Sequence, residues 1–222
     1  MRVLVACEYS GTVRDAFIRA GHEALSCDLL PSESDFGPHH QGDVRDVLYD
    51  GWDLMVSHPP CKYLSVSGMH WTTRGLRDPK LTEDALEFVK LLMDAPIERI
   101  AVENPISVIS TRIRKPDQVI QPWQFGHDAS KKTCLWLKNL PLLKPTNIVN
   151  PSWACKCGHR FAYELGKYGC PNCDGISGSA KAVYGNQTPS GQNKLGPSED
   201  RWKERSKTYE GIAEAMSTQW AF

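Results

Sequence analysis

Short apolar runs alternate with amphipathic helices through the first half of this chain, and nearly every run halts at a polar residue. Residues 2–7 (RVLVAC) read as a buried strand, and a Gly-containing turn over 8–11 follows at once. Residues 12–20 (TVRDAFIRA) then place Val13, Ala16, Phe17 and Ala20 at helical spacing, with Gly21 as a stop. A second strand over 23–29 carries Asp28 at its end. The polar loop 31–40 leads to a short third segment around 42–47 with Asp43, and 53–57 (DLMVS) runs straight into His58-Pro59-Pro60-Cys61. A helix over 81–94 is expected next, with Leu81, Ala85, Phe88, Leu91 and Leu92 on one face and Thr82 as its N-cap. The strand 99–102 closes the series and ends in Glu103-Asn104-Pro105. This order predicts an α/β fold with a doubly wound, mostly parallel, Rossmann-like sheet, whose ligands bind beyond the carboxyl ends of the strands. Glu8, Asp28, Asp43, Cys61 and Glu103 all fall at such ends.

Beyond residue 110 the pattern loosens. One more strand is expected over 134–137. Residues 151–175 are dominated by Cys, Gly and aromatics, 177–205 turn to Gly, Ser, Asn, Gln, Lys and Pro, and 208–220 form an amphipathic helix with Ile212, Ala215 and Met216. A length of 222 residues holds one medium domain and a small appendage. The expected division is a core over 1–150, a zinc-binding knuckle over 151–176, a flexible basic and polar connector over 177–207, and a C-terminal helix over 208–222 packing on the core.

The 26 Lys+Arg residues balance 26 Asp+Glu, which excludes binding of nucleic acid by bulk charge and leaves room only for a local basic face. No apolar run approaches the ~18–20 residues that cross a bilayer, and the opening MRVLVACEYS turns polar too early for a signal peptide, so a cytoplasmic protein without membrane partners is expected. In that reducing compartment the eight cysteines call for metal ligation, catalysis or burial rather than a disulfide framework.

Four of them make two pairs. Cys155 and Cys157 are separated by twelve intervening residues from Cys170 and Cys173. Four thiolates on two tight turns can close a tetrahedral structural Zn2+ site whose binding energy folds a segment too small for its own core. The first pair is one residue tighter than the usual knuckle, which leaves His159 as an alternative ligand. Four thiolates leave no open position for catalysis. Cys61 is different: it follows a strand in a Pro-Pro turn that exposes it, where a thiolate can act as a nucleophile. Glu103, at the end of the neighbouring strand, would approach it across the same crevice. Cys7, Cys27 and Cys134 lie in or beside strands and read as core.

Glu8, Ser10 and Gly11 form a turn where backbone can approach a ligand, without the full G-x-G-x-x-G fingerprint. Asp28 lies about twenty residues on, where nucleotide-binding folds place an acid on a ribose hydroxyl. Asp43 is placed to accept from an adenine amino group. Together they point to an adenosine-containing ligand.

The order of these motifs resembles the carbon-5 cytosine DNA methyltransferases, and more closely their short phage and prophage versions. The matching segments are ACEYSG, the acidic end of LSCDLL, GDVRDV, SHPPCKYLS and VENP, over roughly residues 1–145, with a weaker echo in GIAEAMSTQW. The resemblance implies a methyltransferase sheet using S-adenosyl-L-methionine, with Glu8, Ser10, Gly11, Asp28, Asp43 and Pro59 at the cofactor. It implies that Cys61 adds to carbon 6 of cytosine while Glu103 protonates ring nitrogen 3, and that a target in duplex DNA is flipped out of the stack. Asn104, Arg112, Arg114, Lys131 and Lys132 are the substrate-side candidates. Three departures stand out: no large DNA-reading region, His58-Pro59-Pro60 before Cys61, and no Gln-x-Arg-x-Arg element after Glu103. Two other readings stay open: a nucleic-acid-binding protein of this fold without turnover, and a methyltransferase acting on a free nucleotide or an RNA base.

Overall fold

The computed structural model describes residues 1–173, 180–188 and 192–222, and the chain divides into two units. The first comprises Met1–Ile120, Lys132–Lys144 and Thr208–Phe222. Its elements in chain order are β1 (Arg2–Ala6), α1 (Thr12–Arg19), β2 (Glu23–Asp28), β3 (His39–Gln41), β4 (Leu54–Ser57), α2 (Val66–Thr73), α3 (Lys80–Met93), β5 (Arg99–Pro105), α4 (Ile109–Arg112), β6 (Gln118–Ile120) and β7 (Thr133–Lys138). The seven strands form one sheet in the order β3-β2-β1-β4-β5-β7-β6. β1 pairs in parallel with both β2 and β4, β2 with β3, and β4 with β5, whereas β7 runs antiparallel to β5 and to β6. The chain winds outward from β1 to β3, returns to β4 and winds the other way, which makes the fold a doubly wound, mostly parallel α/β sheet.

Burial explains why the central strands read so clearly. Val3, Leu4, Val5 and Ala6 are all fully buried, as a parallel strand covered on both faces requires. Leu4, Met55, Ile100 and Val102 meet Leu86, Val89 and Leu92 of α3 in the main core, which Trp52, Leu48 and Trp136 extend. A second structural feature lies at α1. Arg14 is fully buried, pairs with Asp15 at 2.7 Å, and donates to Ser26 Oγ, Ser32 Oγ and the carbonyls of Ser34 and Pro38. One side chain of α1 thereby fastens the whole loop between β2 and β3.

Two local expectations are corrected. The third strand is His39–Gln41, not a segment around 42–47: residues 44–46 form a 3-10 turn capped by Asp43, and the strand is placed by its parallel pairing with Ser26–Asp28. Thr82 does not cap α3, which begins two residues earlier. It is buried inside the helix and donates to the Tyr63 carbonyl at 3.2 Å.

The second unit comprises Gln121–Lys131 and Pro145–Lys207. It contains β8 (Ser152–Cys155), β9 (Arg160–Phe161), β10 (Ala180–Val183) and α5 (Arg201–Ser206), with the three strands antiparallel in the order β10-β8-β9. Trp123 stacks on Tyr184 with ring centroids 6.0 Å apart. Of the connector expected over 177–207, residues 177–179 and 189–191 lie outside the described residues. The remainder includes β10, whose Ala180 pairs with Cys155, and α5, so it is not structureless chain throughout. The final helix, α6 (Glu210–Gln219), belongs to the first unit and packs on α1, burying Ile212, Ala213, Ala215 and Met216. Trp220 anchors its end with a hydrogen bond to the Pro141 carbonyl at 2.9 Å. No helix among the described residues is long and apolar enough to cross a membrane.

Candidate active site and metal centre

The parallel ladder between β4 and β5 pairs Ser57 with Val102 and stops there. The next residues are His58 and Glu103, followed by Pro59 and Asn104. His58 donates its backbone N–H to the Ala6 carbonyl (2.9 Å), which keeps the chain along β1 for one more residue. Its Nδ1 lies 3.1 Å from Oε2 of Glu103. Asn104, 1% exposed, donates from Nδ2 to the Pro59 carbonyl at 2.8 Å. Two consecutive side chains of β5 thus hold two consecutive residues leaving β4. A little further on, Val66 donates to the Ile106 carbonyl and Val108 to that of Leu64, so both segments continue side by side. Between these attachments, Pro60 and Cys61 are exposed, and Cys61 starts a 3-10 turn whose Leu64 and Ser65 amides donate to the Cys61 carbonyl. The result is an exposed thiol and a buried carboxyl on adjoining strand ends. Nε2 of His58 and Oδ1 of Asn104 are buried there without a hydrogen-bond partner.

Of the cysteines outside the paired set and apart from Cys61, Cys27 and Cys134 are buried in the core as expected, whereas Cys7 is half-buried just past the end of β1. Burial pushes the Cys7 thiol far up, with Asp28, Cys27 and Asp43 adding to it; Cys27 is pushed up to about 12, again chiefly by burial. Cys134 is raised by burial and then by the Glu103 charge. All three stay as neutral thiols.

At the end of β1 the turn adopts φ +75° at Gly11, where a Cβ would fall 2.6 Å from Arg14 Nη2 and 2.9 Å from Ser34 Cβ. Only glycine fits. Glu8 is buried and accepts from the Val13 and Arg14 amides at 2.7 and 3.1 Å and from Ser10 Oγ at 3.3 Å, so its carboxyl closes the start of α1. Burial raises its pKa, opposed by His58 and those amides. Asp28, at the end of β2, accepts from the Leu30 amide at 2.9 Å and is also raised, mainly by burial. Asp43 accepts the Arg45 amide at 2.9 Å and pairs with its guanidinium at 2.8 Å, and the amide hydrogen bond holds its pKa low. Because β1, β2 and β3 run parallel and side by side, the ends of β2 and β3 that carry Asp28 and precede Asp43 lie on the same side of the sheet as the end of β1.

The basic candidates are dispersed. Arg112 pairs with Glu83 of α3 at 2.8 Å, and Arg114 with Asp117 at 2.7 Å while donating to the Leu137 carbonyl. Lys132 is exposed next to β7. Lys131 belongs to the second unit, where its ammonium donates to the Lys207 carbonyl. His58 is not among the residues expected at the site from the sequence, where it stands before Cys61 as a departure from the usual Pro-Cys context; the register of β4 and β5 is what brings it beside Glu103.

In the second unit, the thiols of Cys155, Cys157, Cys170 and Cys173 lie within 4.8 Å of one another. Two of the sulfur–sulfur distances are 3.5 Å (Cys155 to Cys173) and 3.7 Å (Cys157 to Cys170). Tetrahedral zinc with Zn–S bonds of ~2.3 Å has edges of about 3.8 Å, so the donor set and its spacing fit that metal. His159 is outside this cluster: its ring stacks on Phe161, and its carbonyl accepts the Cys155 amide at 2.9 Å.

No protein-family model and no curated protein matches this chain. Among solved structures it is similar to a protein encoded within a prophage of E. coli and assigned as a DNA modification methyltransferase, at 12% identity and a TM-score of 0.45, covering 78% of this chain and 56% of that one. It is also similar to the Entamoeba histolytica methyltransferase EhMeth, at 12% identity and a TM-score of 0.46, covering 68% of this chain and 58% of that one. The chain therefore spans a little over half the length of the solved proteins it matches.

Proposed function

We propose that this chain is an S-adenosyl-L-methionine-dependent methyltransferase that modifies carbon 5 of cytosine in DNA. The observation that carries the reading is the pairing of an exposed thiol, Cys61, with a buried carboxyl, Glu103, on adjoining strand ends tied together by the Asn104–Pro59 hydrogen bond. Asp28, at the end of β2, and Asp43, just past β3, lie at successive strand ends on the side of the sheet where β1 runs into the Gly11 turn, and they supply acceptors of the kind that ribose hydroxyls and an adenine amino group require. The bound cofactor would supply an activated methyl group. The remaining chemistry belongs to the chain. The Cys61 thiolate forms a bond to carbon 6, the ring electrons move toward carbon 5, and Glu103 delivers a proton to nitrogen 3. After methylation, carbon 5 gives up its proton to solvent water, the sulfur–carbon bond breaks to release Cys61 as thiolate, and the proton on nitrogen 3 returns to Glu103. In duplex DNA the base must leave the stack to reach Cys61.

Incubation with methyl-labelled cofactor and parallel DNA, RNA and free-nucleotide substrates, followed by nucleoside analysis, tests the reading. Label in 5-methylcytosine from DNA is expected. Label in RNA or free nucleotide would replace the substrate, and nucleic-acid binding without transfer would replace the enzyme by a binding protein. Cys61→Ser should abolish transfer and leave cofactor binding intact; near-wild-type turnover would refute the covalent route. For the four thiols of the second unit the proposal is one structural Zn2+ held by Cys155, Cys157, Cys170 and Cys173. Elemental analysis of protein purified without added metal should give about one zinc per chain. Finding none would overturn it.

A further inference from the structure

We propose that His58 is the positioning residue for Glu103: its Nδ1–H holds one carboxyl oxygen, Oε2, and so fixes the orientation in which the carboxyl meets the base. This rests on the reading of Glu103 as the acid toward a ring nitrogen. Three observations carry it. First, His58 and Glu103 are level with each other one step past the last register pair of β4 and β5, with Nδ1 3.1 Å from Oε2 and side chains only 10% and 12% exposed. Secondly, the His58 backbone is itself fixed by its hydrogen bond to Ala6. Thirdly, Nε2 is buried without a partner. An orphaned donor in a protein interior is rarer than an orphaned acceptor, so the ring proton belongs on Nδ1, and the hydrogen bond made there sets the tautomer. Among the described residues, the charged groups that act on the ring include Glu103 from β5, Glu8 from the turn after β1 and Asp28 from the end of β2.

The chemical consequence is directional. When the Glu103 carboxyl passes its proton to the ring nitrogen of the base, the carboxylate left behind keeps the Nδ1–H donor on Oε2. The proton comes back to the carboxylate when the product leaves. His58 neither gains nor loses a proton.

The test combines NMR of the free protein with two variants. Two-dimensional 15N spectra of the imidazole should show the Nδ1–H tautomer; the Nε2–H tautomer would overturn the proposal. His58→Asn places an amide N–H near the position of Nδ1, whereas His58→Leu removes both nitrogens. The leucine variant should lose about 100-fold in kcat, the scale on which general-acid catalysis operates, with the cofactor KM unchanged. The asparagine variant should recover most of that loss. Equal losses in kcat and in thermal stability for both variants would assign His58 to packing and sink the proposal, as would wild-type kcat in His58→Leu. If the wild-type protein transfers no methyl group to cytosine, the functional reading fails by itself, while the spectra still decide the His58–Glu103 link.

Discussion

Asn104 ties the segment bearing Cys61 to the end of β5, and its replacement gives a graded test of that geometry. Asn104→Ala removes the Nδ2 donor and leaves the buried Pro59 carbonyl unpaired, a loss of about 1–3 kcal/mol. Removal of Oδ1, which has no partner, offsets part of this and places the expected effect near 1–2 kcal/mol. Asn104→Asp keeps the volume but sets a carboxylate against the Pro59 carbonyl in a site 1% exposed. An uncompensated buried charge of this kind costs about 3–5 kcal/mol. At roughly 2–4 °C per kcal/mol for a chain of this size, Tm should fall by about 2–8 °C for the alanine variant and about 6–20 °C for the aspartate variant at pH 7. The aspartate variant carries a further signature. Burial raises the pKa of the new carboxyl above its unfolded value of ~3.9, and the protonated form can donate to Pro59 as the amide did. Its penalty is therefore full above the raised folded pKa and fades as pH falls through it, so its gap from the wild type should narrow between pH 8 and pH 5. Thermal unfolding followed by circular dichroism at both pH values reads this directly. A wild-type Tm for Asn104→Asp at pH 7, or a gap that widens on acidification, would refute the clamp.

Three other perturbations reach different parts of the first unit. Arg14→Leu strands the buried Asp15 without its cation and should cost about 3–5 kcal/mol in urea unfolding, with the loop between β2 and β3 losing amide protection. Gly11→Ala should destabilise more than Gly21→Ala: both sit at positive φ, worth about 1–2 kcal/mol, but a Cβ at Gly21 meets nothing within 4 Å whereas one at Gly11 strikes Arg14 and Ser34. Equal losses in guanidinium unfolding would contradict the crowding at the turn. Because the Arg45 amide lowers the pKa of Asp43, the stability it contributes is present above its unfolded pKa of ~3.9 and is lost as pH falls through the lower folded value. Wild type and Asp43→Asn should therefore converge in Tm below that window; a constant difference down to pH 2 would remove Asp43 from the acid response.

The elements readable in the sequence were those whose burial is uniform. Residues 3–6 and 54–56 are apolar runs because parallel central strands are covered on both faces, and the chain-order argument that they form a doubly wound sheet needs nothing more. His39–Gln41 lacks any apolar pattern: it is an edge strand, held by backbone pairing and by the His39 ring bonded to Ser26 Oγ and the Leu30 carbonyl. Ala180–Val183 was absorbed into a polar stretch because four residues are too few to show a period, and its pairing with Ser152–Cys155 is a tertiary fact. Arg14 sits on the helix face where polarity argues for solvent, and only the loop that folds over it makes its burial intelligible. At the candidate site, Cys61 and Glu103 stood out through position after strands. His58 did not, because its role depends on the register of two strands more than forty residues apart in the chain.

A strand that must end in solvent normally frays, since its last amides and carbonyls lose their neighbours one after another. Here the residues that terminate β4 are Pro59 and Pro60, which have no N–H to give, so the ladder is silenced rather than unzipped. Glu103 and Asn104, pointing to opposite faces of β5, take over the pairing with side chains in place of backbone. The departing segment is gripped from above and below the sheet. It can turn outward and carry the exposed Cys61 thiol to the surface while the strand behind it stays paired.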